Sequence, residues 1–178
     1  MKADSQVSIV IPNYNGMAFM EACLRAVLAD APEAEILVVD NGSTDGSQDY
    51  IKKKFPFCKL ICLDQNYGFC RAVNEGFQAA ESEYVILLNN DTEVKPDFSR
   101  KLLDAIRADQ RRFSCQACML QYQNPELTDD AGDFFCGLGW AFARGKTGIG
   151  VSEEWQDLFI LRRGRDLPEK PGFEAGRV

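Results

Sequence analysis

The sequence predicts an α/β fold, a mostly parallel sheet with helices on both faces, and three observations carry that expectation. Apolar, β-branched runs alternate with segments of helical period over the first 120 residues. The strand-like runs are continuously apolar, as strands covered on both faces must be. A polar, turn-forming cluster follows each run, at what would be the carboxyl end of a strand, where ligands of such sheets bind.

The elements follow in chain order. Val7 to Pro12 is a short β-branched run. Met17 to Leu28 carries Phe19, Met20, Cys23, Leu24 and Val27 at helical spacing. Glu35 to Val39 is a second strand-like run and ends at Asp40. Gly42 to Gly46 is turn chemistry, and Ser43 or Asp45 suits the cap of a helix reaching Phe55. Lys59 to Leu63 is a third strand. Cys70 to Ala80 places Ala72, Val73, Phe77 and Ala80 on one side of a helix. Tyr84 to Leu88 is a fourth strand. Pro96 stands where a helix starts, continued by Phe98, Leu102, Leu103 and Ile106. Phe113 to Leu120 reads as a further strand. Beyond Gln121 the pattern loosens, and the C-terminal part is expected to be incomplete or irregular.

Composition narrows the function classes. A chain of 178 residues, 46% hydrophobic, suits one domain, or one domain and a tail. A formal charge of -7 argues against a nucleic-acid partner. No secretory signal is evident, and no apolar run approaches the roughly 20 residues that span a bilayer. The expectation is a cytoplasmic, soluble protein, with peripheral membrane contact and oligomeric state left open. The 7 cysteines, without an export signal, do not suggest a disulfide framework. Cys115 and Cys118 form a C-x-x-C, yet the chain has no histidine and no second such pair, so they read as buried small hydrophobes.

Four clusters have the residue types for ligand chemistry, each with a plainer reading beside it. In Asn89-Asn90-Asp91-Thr92-Glu93, a carboxylate at a strand end and a second two positions on suit a hard divalent cation. The plainer reading is a solvated turn. Asp40 could accept hydrogen bonds from a base edge or ribose, or merely shape the turn through Asp45. Tyr14, in Pro12-Asn13-Tyr14-Asn15, could stack on a nucleobase or be half-buried packing. Asn66-Tyr67-Gly68-Phe69, with Arg71 and Asn74, opens a helix suited to phosphate, or is a glycine turn beside an exposed arginine. There is no G-x-G-x-x-G, no P-loop motif, and no histidine for a Ser-His-Asp arrangement.

Val7 to Asn15, Ile36 to Gly46, Asn66 to Phe69 with Asn74-Glu75-Gly76, and Leu87 to Glu93 together resemble, in order and spacing, family 2 glycosyltransferases of the GT-A fold. The N-N-D-T-E form and Asp129-Asp130-Ala131-Gly132 look most like the bacterial rhamnosyltransferase branch. The resemblance implies that Pro12, Tyr14, Asn15 and Asp40 line the base and ribose pocket. Asp45, Asn66, Gly68 and Asn74 would shape the donor-site floor. Asn90 and Asp91 would take the place of the family's D-x-D element, with Asp91 the direct ligand of Mg²⁺ or Mn²⁺. Asparagines at the leading positions leave one firm carboxylate there.

The implied reaction is an inverting transfer from a dTDP- or UDP-sugar to a glycan or lipid-linked acceptor, in cell-wall or polysaccharide biosynthesis. The family's acidic base motif has no clear counterpart. Asp130, its neighbour Asp129, and Glu154 within Glu153 to Asp157 are the candidates. The implied organisation is a nucleotide-sugar-binding α/β domain over 1–120, a partial acceptor-side region over 121–160 and a poorly packed tail over 161–178. That tail crowds five basic residues, three glycines and two prolines into eighteen positions, and its apolar residues share no face. It matches no part of the family, so a truncated or frame-shifted end is expected. Two other readings stay open: a donor-binding protein without efficient transfer, and a sugar-phosphate nucleotidylyltransferase, which normally carries a basic residue that Pro12 to Gly16 lacks.

Overall fold

A computed structural model describes residues 6–130 and three later short strands, Asp133–Phe135, Ala141–Ala143 and Ile160–Arg162. The chain divides into two compact units, residues 1–99 with 162–178, and residues 100–161.

The first unit alternates strand and helix: β1 (Val7–Asn13), α1 (Met17–Asp30), β2 (Glu35–Asp40), α2 (Ser47–Lys54), β3 (Lys59–Cys62), α3 (Phe69–Ala79) and β4 (Tyr84–Leu87). The four strands are parallel in the order β3-β2-β1-β4. Every residue of the central strand β1 is buried, and all but Ser8 and Asn13 are apolar. Val10, Leu37, Val39 and Val85 form one core layer with Ala72 of α3. A Cβ at Gly76 would run into the Val10 side chain, so glycine there lets α3 lie close on the sheet. Ile9 and Ile11 alternate to the opposite face and are equally buried. Right-handed crossovers put α1 and α2 on one face and α3, which carries the chain back past β1 to β4, on the other.

This order makes a switch point beside β1, from which successive connections run in opposite directions. β1 pairs with β4 only as far as Val10 with Leu87, with one further bond from Leu88 N to Val10 O (3.0 Å). Pro12, which has no N–H to give a ladder, lies beyond that pairing and meets only Val39 of β2. Beyond that pairing the loops after β1 and β4 leave the ladder at the switch point, the edge at which ligands of such sheets bind.

The second unit holds most of α4 (Phe98–Arg107), which buries Leu102 and Ile106. After it come β5 (Ser114–Cys115), β6 (Met119–Leu120), β7 (Thr128–Asp130), β8 (Asp133–Phe135), β9 (Ala141–Ala143) and β10 (Ile160–Arg162). They pair antiparallel as β6–β7, β8–β9 and β5–β10. Among the described residues, no helix is long and apolar enough to cross a membrane.

Some expectations need correction. Pro96 does not open α4. Asp97 has a φ of 67°, and the helix begins at Phe98. Its first N–H groups, of Phe98 and Ser99, donate to the Asp30 carboxylate at 2.9 and 2.8 Å, so the cap comes from the end of α1. The single strand expected over Phe113 to Leu120 is two dipeptide strands, β5 and β6. Cys115 and Cys118 are of intermediate exposure and outside any disulfide, not buried hydrophobes. Phe19, placed on the apolar stripe of α1, is 52% exposed, while Met20, Cys23, Leu24 and Val27 are buried. Leu161 and Arg162 fall in β10, and the rest of the C-terminal segment lies outside the described residues.

Candidate functional site

The four polar clusters are held together at the C-terminal ends of β1, β2, β3 and β4, and the residue that joins three of them is Asn13. It ends β1 and is 1% exposed. Its Nδ2 donates to Asp40 Oδ2 (2.7 Å) and Ser47 Oγ (3.0 Å), with Ser43 Oγ at 3.3 Å. Its Oδ1 accepts from Asn90 Nδ2 at 2.8 Å. One buried amide thus fixes the loop after β1, the loop after β2 and the loop after β4. Gly16 makes the last contact possible, because a Cβ there would overlap both Asn90 Nδ2 and Asn13 Oδ1. Asn15 adds a reciprocal clasp: its N–H donates to Ser43 Oγ, and its Oδ1 accepts from Thr44 N, both at 2.9 Å. Its φ of 50° is left-handed, a conformation asparagine tolerates.

Asp40 and Asp45 are both occupied with internal bonds. Asp40 is fully buried, and its carboxylate accepts from Ser43 N, Gln48 Nε2 and Asn13 Nδ2 at 2.7–2.9 Å. It braces the loop after β2 from within. Asp45 ties the starts of two helices, accepting from Met17 N (2.8 Å) and Ser47 N (3.0 Å). Partial desolvation pushes its carboxyl up. The hydrogen bonds from the Ser47 side chain and from the Met17 and Ser47 backbones outweigh that and hold it below the usual carboxylate range.

The loop after β3 is fastened by Asn41. Its Nδ2 donates to Asn66 Oδ1 (2.9 Å) and Gly68 O (3.1 Å), and its Oδ1 accepts from Tyr67 N (2.9 Å). Asn66 Oδ1 also accepts from Gly68 N at 2.8 Å. Gly42 belongs to the same junction: its φ is 78°, and a Cβ would sit 2.6 Å from the Gln65 carbonyl carbon. Arg71 pairs with Glu75 one turn on at 2.7 Å, and Asn74 is exposed on α3.

The exposed groups around this frame are those a ligand can meet. Tyr14 is 51% exposed, and no hydrogen bond engages its hydroxyl among the described residues. Asn15, Asn66, Tyr67 and Gly68 are exposed, whereas Pro12 is buried and shapes the strand end. Asp91 is exposed, and no hydrogen bond or ion pair engages its carboxylate among the described residues. It lies close enough to Cys23 to be felt there. Burial pushes the Cys23 thiol up to about 12, and the charges of Asp91 and Glu93 add to the rise. Among the described residues there is no ready cluster of three metal-ligating side chains. Asp91 alone suits Mg²⁺ or Mn²⁺ bound mainly through phosphate and water. The Asp130 side chain and the whole of Glu154 lie outside the described residues.

Asn13 and Asn41 did not stand out in the sequence as site residues. Each sits within a polar cluster, but its role depends on partners 25 to 77 positions away. The available signal was an asparagine closing an otherwise apolar strand, where a buried amide must find partners.

Comparison with known proteins bears on the family and the fold. The family model described as Glycosyl transferase family 2 matches residues 8–166. An undecaprenyl-phosphate 4-deoxy-4-formamido-L-arabinose transferase of Aeromonas hydrophila is 35% identical over 107 residues, covering 56% of this chain and 33% of that protein. The solved mannosyltransferase of Pyrobaculum calidifontis, in complex with GDP-Man and Mn²⁺, matches with a TM-score of 0.57 and 22% identity, over 65% of this chain and 36% of that one. S. aureus TarS 1-349 in complex with UDP-GlcNAc matches with a TM-score of 0.56 and 21% identity, over 65% of this chain and 34% of that one. The chain spans under half the length of the curated relatives it matches.

Proposed function

The chain belongs to glycosyl transferase family 2, and we propose that its first unit binds a nucleoside-diphosphate sugar for inverting transfer to an acceptor hydroxyl. The observation that carries the proposal is the convergence of four strand-end loops at one edge of the sheet, tied by Asn13 and Asn41, with the exposed Asp91 next to the Asn90 that Asn13 holds. The donor is a dTDP- or UDP-sugar, and the acceptor is a glycan or a lipid-linked saccharide. The rhamnosyl-transfer reading rests on the N-N-D-T-E form and on Asp129-Asp130-Ala131-Gly132.

In this reading Tyr14 stacks on the base, and Asn15, Asn66 and Gly68 meet the nucleotide from the exposed ends of their loops. Asp40 and Asp45 act one layer behind, holding those loops in register. Asn90 is committed to Asn13, which leaves Asp91 to face the diphosphate. A divalent ion bound there supplies Lewis-acid stabilisation of the leaving diphosphate. Asn13 and Gly16 position Asp91 by fixing its neighbour. Deprotonation of the acceptor falls to a carboxylate, with Asp130 and Glu154 the candidates.

Calorimetric titration with UDP, dTDP and GDP, with Mn²⁺ and with chelator, tests the donor reading. One or more diphosphates should bind, and more tightly with metal. Failure of all three to bind with metal present would overturn it. In a transfer assay, Asp91→Asn should slow turnover roughly 10²–10³-fold, the loss typical of one preorganised electrostatic contact.

A further inference from the structure

The other end of α2 carries a surface unrelated to the donor loops. Lys52, Lys53 and Lys54 form its last turn, followed by Phe55, Pro56 and Phe57. The three lysines are exposed, and no ion pair engages them among the described residues. Phe57 is 58% exposed, its ring held edge-on against buried Phe55 at 6.0 Å. Beside them opens a cavity of about 320 Å³, lined by Arg25 and Leu28 of α1 and by Lys54, Phe55 and Phe57. Arg25 is already paired with Glu21 at 2.8 Å, so Lys54 is the unpaired cation beside the aromatic floor among the described residues.

Lysines in a last helical turn complement the helix dipole, which accounts for some of this charge. It accounts neither for an exposed phenylalanine beside them nor for a cavity that pairs Arg25 and Lys54 with two aromatic rings. The acidic groups nearby are few. Glu21 is bonded to Arg25 and to the Tyr50 hydroxyl and also feels the charge of Lys54, and Asp49 lies in the first turn of α2.

We propose that this patch docks the protein on a bilayer containing anionic phospholipid. A headgroup phosphate would meet Lys54, Lys52 and Lys53 would face the charged surface, and the Phe57 ring would enter the acyl boundary. Charge complementarity selects this occupant. The whole chain carries -7, so an anionic surface repels most of it and attracts this face, which orients the docked molecule. Because α2 runs antiparallel to the strands, its C-terminal end lies roughly 12 Å from Ser47 and the donor loops. Docking there leaves those loops open to a soluble nucleotide.

Flotation of the 178-residue chain with phosphatidylcholine vesicles, with and without phosphatidylglycerol, tests the proposal. The chain should float only with the anionic vesicles and be released by high salt. Each Lys→Gln change at 52, 53 or 54 should weaken partitioning about fivefold, and Phe57→Ser about tenfold or more. Donor nucleotide binding, measured on the same variants, should be unchanged, which separates loss of docking from loss of fold. Equal flotation with both vesicle types, no flotation at low salt, or a triple Lys→Gln variant that floats like the parent would overturn it. So would capture by soluble heparin without vesicle binding, which would assign the patch to a soluble polyanion.

Discussion

Replacing Asn13 with aspartate changes one group and sets two carboxylates face to face. In the parent chain Asn13 Nδ2 donates to Asp40 Oδ2 at 2.7 Å, with the two residues 1% and 0% exposed. In Asn13→Asp that donor becomes an acceptor at the same distance. Losing a hydrogen bond to a charged group costs about 1.5–3 kcal/mol, and leaving a buried charge uncompensated raises the total to roughly 4 kcal/mol at neutral pH. For a chain of this size that is a fall in Tm of roughly 8–16 °C.

The pair should relieve itself by sharing a proton, so its folded-state pKa rises above the unfolded value of about 3.9. A raised carboxyl pKa contributes stability that is present in acid and lost as pH rises through the folded value. The defect in Asn13→Asp should therefore be smaller at pH ~5 than at pH ~8, by about 2 kcal/mol. Asn13→Ala should lose about 2–3 kcal/mol with no comparable pH dependence. Urea unfolding of the three proteins at both pH values reads this directly. If Asn13→Asp is as stable as the parent, or equally destabilised at both pH values, Asn13 is not the buried link between the loops.

The two glycines of the site should differ in kind. Gly16→Ala has an ordinary backbone to adopt (φ -100°), so it should cost about 1 kcal/mol for the displaced Asn13–Asn90 bond and weaken metal-assisted nucleotide binding. Gly42→Ala meets backbone at 2.6 Å with a φ of 78° and should destabilise by about 3 kcal/mol or more; thermal melts rank the pair. Asp45→Asn tests the tie between α1 and α2. The Asp45 carboxyl is held low in the folded state, so its contribution is present above the unfolded pKa and lost as pH falls through the folded one. The parent should accordingly lose more stability than Asp45→Asn when unfolding is compared at neutral pH and below about pH 4.

The architecture was legible because its signals are local. Continuous apolar runs marked β1, β2 and β4 to within a residue or two, and the polar residues after them marked the site edge. What the sequence hid depends on distant partners. The start of α4 is set by Asp30, 68 positions before Phe98, so Pro96 misled. Asp40 looked like a ligand contact, but its burial and three bonds are properties of the folded loop. Phe19 shares the helical period with the buried residues of α1, yet the stripe that meets the sheet is too narrow to include it. The importance of Gly16 comes only from the approach of two side chains, Asn13 and Asn90, that meet beside it.

Nucleoside-diphosphate affinity, measured for the parent and for Asp91→Asn with Mn²⁺ or Mg²⁺ and with chelator, tests the central claim most directly. The ion offsets repulsion between the diphosphate and the Asp91 carboxylate, so the parent should bind more tightly with metal. Asp91→Asn should lose that dependence while its metal-free affinity stays at or above the parent's, since the substitution leaves Tyr14, the proposed base contact, and the braced loops untouched. An Asp91→Asn protein whose affinity still rises with metal as the parent's does would remove Asp91 as the ligand and contradict the account.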